Sequence, residues 1–196
     1  MIPIDEVRRI AGALELEPSV IDHDYVLGCY LCFLGAHATV WNYGGSPRSV
    51  RIHVNRDESL VFPTNVLSIF HQYSDRKELP SVAIQVYSLE EMMAEKLRAF
   101  SGQRKHAIPH DIFDLYHLSK NVTSVENVLE GFPLKCKAKG LSPDAIDLDK
   151  VVARRFEYEN NWLQSLEYLV PTNLKVPFEA AWDTSIRLLE KASQKS

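Results

Sequence analysis

The stretch Tyr87–Leu118, YSLEEMMAEKLRAFSGQRKHAIPHDIFDLYHL, decides how this chain is read. Ser88 and Glu91 have the S-x-x-E spacing of a capping box, with Tyr87 and Met92 placed to staple across it, so a helix is predicted to begin near Leu89. Leu89, Met92, Met93, Leu97 and Phe100 recur at helical spacing. Lys96 lies beside Met92, Ala99 and Phe100 at the edge of that stripe, where its stem can rest on the core. After Gly102 the chain turns through Gln103 to Pro109. That proline suits the first turn of a second helix carrying Ile112, Phe113, Leu115, Tyr116 and Leu118. Asp111 and Asp114 then share one face, and Lys96, Arg104, Asp111 and Asp114 become the charged cluster where a function has to be argued.

Each of these charges also has an ordinary explanation. Glu91 and Glu95 are four apart and read as a solvated polar face. Asp111 in a first helical turn stabilises the helix dipole by about 0.3–1 kcal/mol without any chemistry. Lys96 and Arg104 can pair with the two aspartates as a purely structural network, and the pattern leaves that reading open beside a ligand-binding one.

Outside this segment, Ile4–Leu14 and Ile21–Phe33 read as helices separated by Glu17 and Pro18. Thr39–Tyr43, Val50–Val54 and Val82–Tyr87 are short strand candidates, with a turn signal at Gly44–Pro47. From Ser88 onward the pattern is helical. Ser124 is placed to cap a short helix, Ser142-Pro143-Asp144 to open another, and two more are expected over Leu148–Leu169 and Pro177–Lys191. Their buried positions are predicted as Trp162, Leu166, Leu169, Phe178, Trp182, Ile186 and Leu189. The expected fold class is α+β, a small sheet with a mainly helical C-terminal half.

With 196 residues, 45% of them hydrophobic and 24% charged, the chain can bury an ordinary core. A formal net charge of −4 gives no global attraction to nucleic acid, so any RNA contact has to be local. Lys96, Arg98, Arg104, Lys105 and His106 form one small basic region, and Lys135, Lys137 and Lys139 another. No stretch is apolar and long enough to span a bilayer, and the start MIPIDEVRR lacks a signal-peptide pattern, which points to a cytoplasmic protein. Cys29 and Cys32 form an isolated C-x-x-C and Cys136 stands alone, so small buried thiols are expected rather than a disulfide or zinc framework. His106, His110 and His117 lack a partner set for zinc, and no metal ligand is assigned.

The run EEMMAEKLRAF, then Arg104, then PHDIFDLYHL, resembles the signature of the AbiEii-type nucleotidyltransferase toxins of abortive-infection and type IV toxin–antitoxin systems, which act in phage defence. The resemblance extends to IDHDYVLGCYL at Ile21–Leu31, to the VRIHV segment at Val50–Val54 and to the C-terminal helical region. It implies a DNA polymerase beta-like core, Mg2+, a nucleoside triphosphate donor, and an acceptor such as tRNA or another RNA. It also implies a cognate antitoxin as partner. It places Lys96 near the nucleotide phosphates and includes Asp111 and Asp114 in its signature, so Lys96 and Arg104 are taken as the candidate nucleotide-binding residues and Asp111 and Asp114 as the candidate catalytic ones. One departure is His110, where an arginine is usual.

A second departure is larger. Such enzymes use a Gly-rich turn for the triphosphate and a D-x-D pair on a strand, because carboxylates two apart point to one face and can hold Mg2+ against the phosphates. From Leu34 this chain passes directly to Thr39, Val40 and Trp41, which resemble a later part of the family pattern. Gly44-Gly45-Ser46 followed by Asp57-Glu58 is no substitute, since adjacent carboxylates on a strand point to opposite faces. His53 stands where a third carboxylate is expected. Loss of that set removes several kcal/mol of transition-state stabilisation, at about 1.36 kcal/mol per tenfold in rate. The sequence therefore predicts a degenerate nucleotidyltransferase-like fold, with an incomplete core over residues 1–120 and a helical C-terminal region over 121–196 packed on it. Its expected function is nucleotidyl transfer in impaired form, the alternative being a noncatalytic protein or decayed remnant that binds an antitoxin or a homologous toxin.

Overall fold

A computed structural model describes residues 2–35, 59–166 and 169–194. The predicted strands at Thr39–Tyr43 and Val50–Val54, the Gly44–Pro47 turn, His53 and Asp57-Glu58 lie outside these residues. The described elements are helices α1 (Ile4–Leu14) and α2 (Pro18–Gly35), strands β1 (Thr64–Ser68) and β2 (Ala83–Tyr87), and helices α3 (Leu89–Arg98), α4 (Pro109–Asn121), α5 (Val125–Lys137), α6 (Leu148–Ala153), α7 (Arg155–Ser165) and α8 (Phe178–Gln194). The two strands pair in an antiparallel sheet, so the fold is α+β and mostly helical, as expected.

The chain divides into two compact units, one built from residues 1–55, 65–86 and 168–174 and the other from 56–64, 87–167 and 175–196. In the first, α1 and α2 pack together over a small core of Ile2, Val7, Ala11, Ile21, Tyr25 and Tyr73. The Tyr73 hydroxyl donates to the Ile21 carbonyl at 3.1 Å and to Asp24 at 2.6 Å, which ties the segment after β1 to α2.

The second unit holds the larger core. Helices α3, α4, α5 and α8 pack around Met93, Leu97, Phe100, Ile112, Leu129 and Phe132, all nearly or fully buried. Each such side chain contributes roughly 1.5–3 kcal/mol on leaving water. Trp182 on α8 is buried among Phe100, Tyr158 and Phe178, with ring centroids at 5.8, 5.6 and 5.8 Å.

Several sequence expectations need adjustment. Ser142-Pro143-Asp144 opens only one 3-10 turn, Pro143–Ala145. The single helix expected over Leu148–Leu169 is two, because Arg154 takes φ −88°, ψ 3° and breaks the repeat between α6 and α7. Leu169, expected inside, is 48% exposed, whereas Leu166, Phe178, Trp182 and Leu189 are buried as predicted. Strand β1 was not anticipated: TNVLS lacks alternation, and four of its five residues are exposed.

Candidate functional site

Helix α3 begins where the capping box predicts, with Ser88 Oγ accepting from the Glu91 amide at 3.2 Å. Glu91 does not spend its carboxylate on the cap. It is fully buried, and its Oε2 accepts from the amides of Val61 and Phe62 at 3.0 and 2.9 Å. Its Oε1 accepts from Lys135 Nζ, itself fully buried on α5, which also pairs with Glu95 at 2.8 Å and donates to the Ser59 carbonyl at 2.9 Å. Glu91 is therefore not part of a solvated face, and Lys135 is not part of a basic patch. Two charges at zero exposure persist because they face each other and both are further hydrogen-bonded to backbone groups, and the network binds α3 to α5.

On from this anchor, Lys96 and Arg98 occupy the last turn of α3. The chain continues through a π-helical turn, Ala99–Gln103, in which Gly102 adopts φ 112°, ψ 4°. No L side chain takes up that conformation without strain, so glycine is required for the reversal even though nothing crowds its Cα. Arg104 follows in extended conformation, and α4 starts at Pro109 in its first turn after the extended Ile108, as the residue before a proline prefers.

This path brings together all four predicted site residues. Asp111 is fully buried and serves two cations at once, its Oδ1 lying 3.1 Å from Lys96 Nζ and its Oδ2 2.9 Å from Arg104 Nε. Asp114, one turn on, meets the same ammonium at 2.7 Å. The side chains of Lys96, Arg104 and Asp114 are 30%, 42% and 37% exposed, so the charged heads reach solvent over a buried carboxylate. Burial alone would lower the Lys96 pKa, but the bonds and charges of Asp114 and Asp111 outweigh it and hold the ammonium above its ordinary value.

Sequence reasoning missed the part played by α7. Arg154 donates from its guanidinium to the carbonyls of Arg104 and Lys105 at 2.9 and 3.3 Å. Glu157 accepts from the Ala107 amide at 2.7 Å, and Asn161 donates to the Ala107 carbonyl at 3.1 Å. The bond from Arg154 and then that from the Ala107 amide keep the Glu157 carboxyl below the usual range. These three polar residues, four or fewer apart on successive turns, fasten the backbone that presents Arg104. Beneath them Tyr158 is buried, and its loss of solvation pushes the phenol up to about 12.

A family model described as nucleotidyl transferase AbiEii toxin, type IV toxin–antitoxin system, matches residues 5–184. The chain belongs to the AbiEii family. No curated protein and no solved structure shows a significant match. The family supplies a nucleotidyltransferase-like toxin, a nucleoside triphosphate as substrate, a divalent metal in general terms and an antitoxin as counterpart. No helix among the described residues is long and apolar enough to cross a membrane.

The AbiEii cluster as described does not fit a divalent ion. Lys96 Nζ and Arg104 Nε stand 3.1 and 2.9 Å from the two oxygens of Asp111, where their charge repels a further cation even though Oδ2 accepts no hydrogen bond, and Asp114 offers a partly exposed carboxylate already on Lys96. The His106, His110 and His117 side chains do not form a ligand group either.

Proposed function

We propose that this AbiEii-family chain binds the phosphates of a nucleoside triphosphate through Lys96 and Arg104, and that nucleotidyl transfer from it to an acceptor such as tRNA is impaired. One observation supports the binding site above all. Asp111 Oδ2 lies 2.9 Å from Arg104 Nε as an ion pair without an aligned hydrogen bond, and the Arg104 side chain is 42% exposed, so its guanidinium reaches solvent. A planar guanidinium whose outer edge faces solvent matches phosphate oxygens bidentately, and Lys96 adds a point charge beside it. In this reading Asp111 and Asp114 orient the cations rather than attack or accept a proton themselves. The impairment rests on the absence from the sequence of the Gly-rich turn and D-x-D pair, and no step through Mg2+ is derived.

The test is binding of each labelled nucleoside triphosphate, followed by transfer of label to total tRNA with Mg2+, in the wild type, Lys96→Ala and Arg104→Lys. Affinity should drop about tenfold or more in either variant, the loss of one charge-assisted contact being roughly 1.5–3 kcal/mol. Unchanged affinity in both would remove the site assignment, and tRNA labelled at a catalytic rate would remove the impairment.

A second reading, a noncatalytic protein that binds an antitoxin or a homologous toxin, is favoured by one feature. Val66, Leu67 and Phe70 in and beyond β1 are 70%, 55% and 84% exposed, more apolar surface in one short segment than scattered exposure explains. Light scattering of the chain mixed with the product of its neighbouring gene decides it: an unchanged monomer mass would discard this reading.

A further inference from the structure

In the first compact unit, Cys29 on α2, His71 after β1 and Asp75 in the following 3-10 turn each offer one ligand atom, and these atoms lie within 4.8 Å of one another. We propose that Cys29, His71 and Asp75 bind one thiophilic divalent cation of the Zn2+ class, at a site separate from the Lys96–Arg104 cluster and independent of its function.

Three observations support it. A sulfur, an imidazole nitrogen and a carboxylate oxygen are the donor set such an ion takes, and together they exclude Mg2+, which avoids thiolate. The side chains of His71 and Asp75 are 0% and 6% exposed, so the donors face each other inside the fold rather than solvent. The His71 ring is held by Asp75, Nε2 to Oδ1 at 3.0 Å, while its Nδ1 is buried with no hydrogen-bond partner among the described residues. No donor occupies Nδ1, so the ring proton can move there and Nε2, the nitrogen that faces Asp75, gives its lone pair to the ion. The Nδ1 edge packs against Gly28, where a Cβ would stand 2.9 Å from Nδ1.

The geometry needs little adjustment. With zinc–ligand bonds of about 2.0–2.3 Å, ligand atoms around a tetrahedral ion are roughly 3.3–3.6 Å apart, so donors within 4.8 Å have to close by about 1.5 Å at most. The Tyr25 hydroxyl already donates to Asp75 Oδ2 at 2.6 Å, the kind of outer contact that fixes a ligating carboxylate. On binding, the Cys29 thiol proton leaves to solvent, and the thiolate and carboxylate together neutralise the ion's two positive charges. Cys32 is not part of the group and serves as a control.

Co2+ titrated into the chelator-stripped full chain tests this. A thiolate-to-cobalt charge-transfer band should saturate at one equivalent, be lost in Cys29→Ser, and persist in Cys32→Ser and Cys136→Ser. His71→Gln should weaken Co2+ binding at least tenfold. Absence of the band from the wild type, or its persistence in Cys29→Ser, overturns the site. If Cys29→Ser does not fold, alkylation of the wild type mapped by mass spectrometry decides. Zn2+ should slow modification of Cys29 at least tenfold, and an unchanged rate overturns the proposal.

Discussion

Replacing Lys135 by methionine keeps the length of the side chain and removes its charge, which isolates the electrostatic part of the α3–α5 anchor. Glu91 then stays at zero exposure with Oε2 on two backbone amides and Oε1 without its ammonium, and the Ser59 carbonyl loses its donor. Breaking a buried pair from one side costs about 3–5 kcal/mol. The expected loss is therefore at least about 3 kcal/mol, a large part of the 5–15 kcal/mol that holds a typical domain together. In urea, with a slope of about 1–3 kcal/mol/M, the unfolding midpoint followed by circular dichroism should fall by roughly 1–3 M. Lys135→Met combined with Glu91→Gln removes both charges and should recover at least half of the loss. A single variant within about 1 kcal/mol of wild type, or a double variant no better than the single, would refute the view that the buried charges depend on each other.

Ser88→Ala deletes the hydroxyl that caps α3 and should cost about 1 kcal/mol, read as a midpoint shift in the same denaturation experiment, with Ser88→Asp close to neutral. Trp182→Ala empties a site 4% exposed among three other aromatic rings and should cost about 3–5 kcal/mol, enough to leave the variant partly unfolded at 37 °C. Because the folded-state pKa of Lys96 lies above its ordinary value, its pairing stabilises the fold fully below about pH 10.4 and less as pH rises through the folded pKa. The gap in midpoint between wild type and Asp114→Asn should accordingly narrow as pH rises above about 10.4, and a constant gap would contradict the pairing.

The charged cluster was legible because it is local. Ser88, Glu91, Lys96, Arg104, Asp111 and Asp114 fall within 27 residues, and helical spacing together with Gly102 and Pro109 suffices to fold them onto one another. Contacts across long separations were not legible. Lys135 looks like a surface lysine beside Lys137 and Lys139, and nothing in its neighbourhood announces a carboxylate 44 residues away. The hold of Arg154, Glu157 and Asn161 on the Arg104–Ala107 backbone spans about 50 residues and uses side chains that on their own helix read as solvated. Cys29 was read as a small buried thiol on a helix; it stands on α2 but is only half-buried, and its company of His71 and Asp75 depends on tertiary packing. The break at Arg154 has no glycine or proline to signal it, which is why one long helix was expected where two short ones stand.

Gly102 contributes no side chain, touches nothing within 4 Å of where a Cβ would be, and still sets the direction in which Arg104 approaches Asp111. Its constraint is one of handedness rather than of space. A chain made by chemical ligation with D-alanine at this position should keep the site, while L-alanine should disturb it, although the two differ by no atom. A survey that ranks positions by the contacts they make would pass over the residue, and random substitution would find it at once.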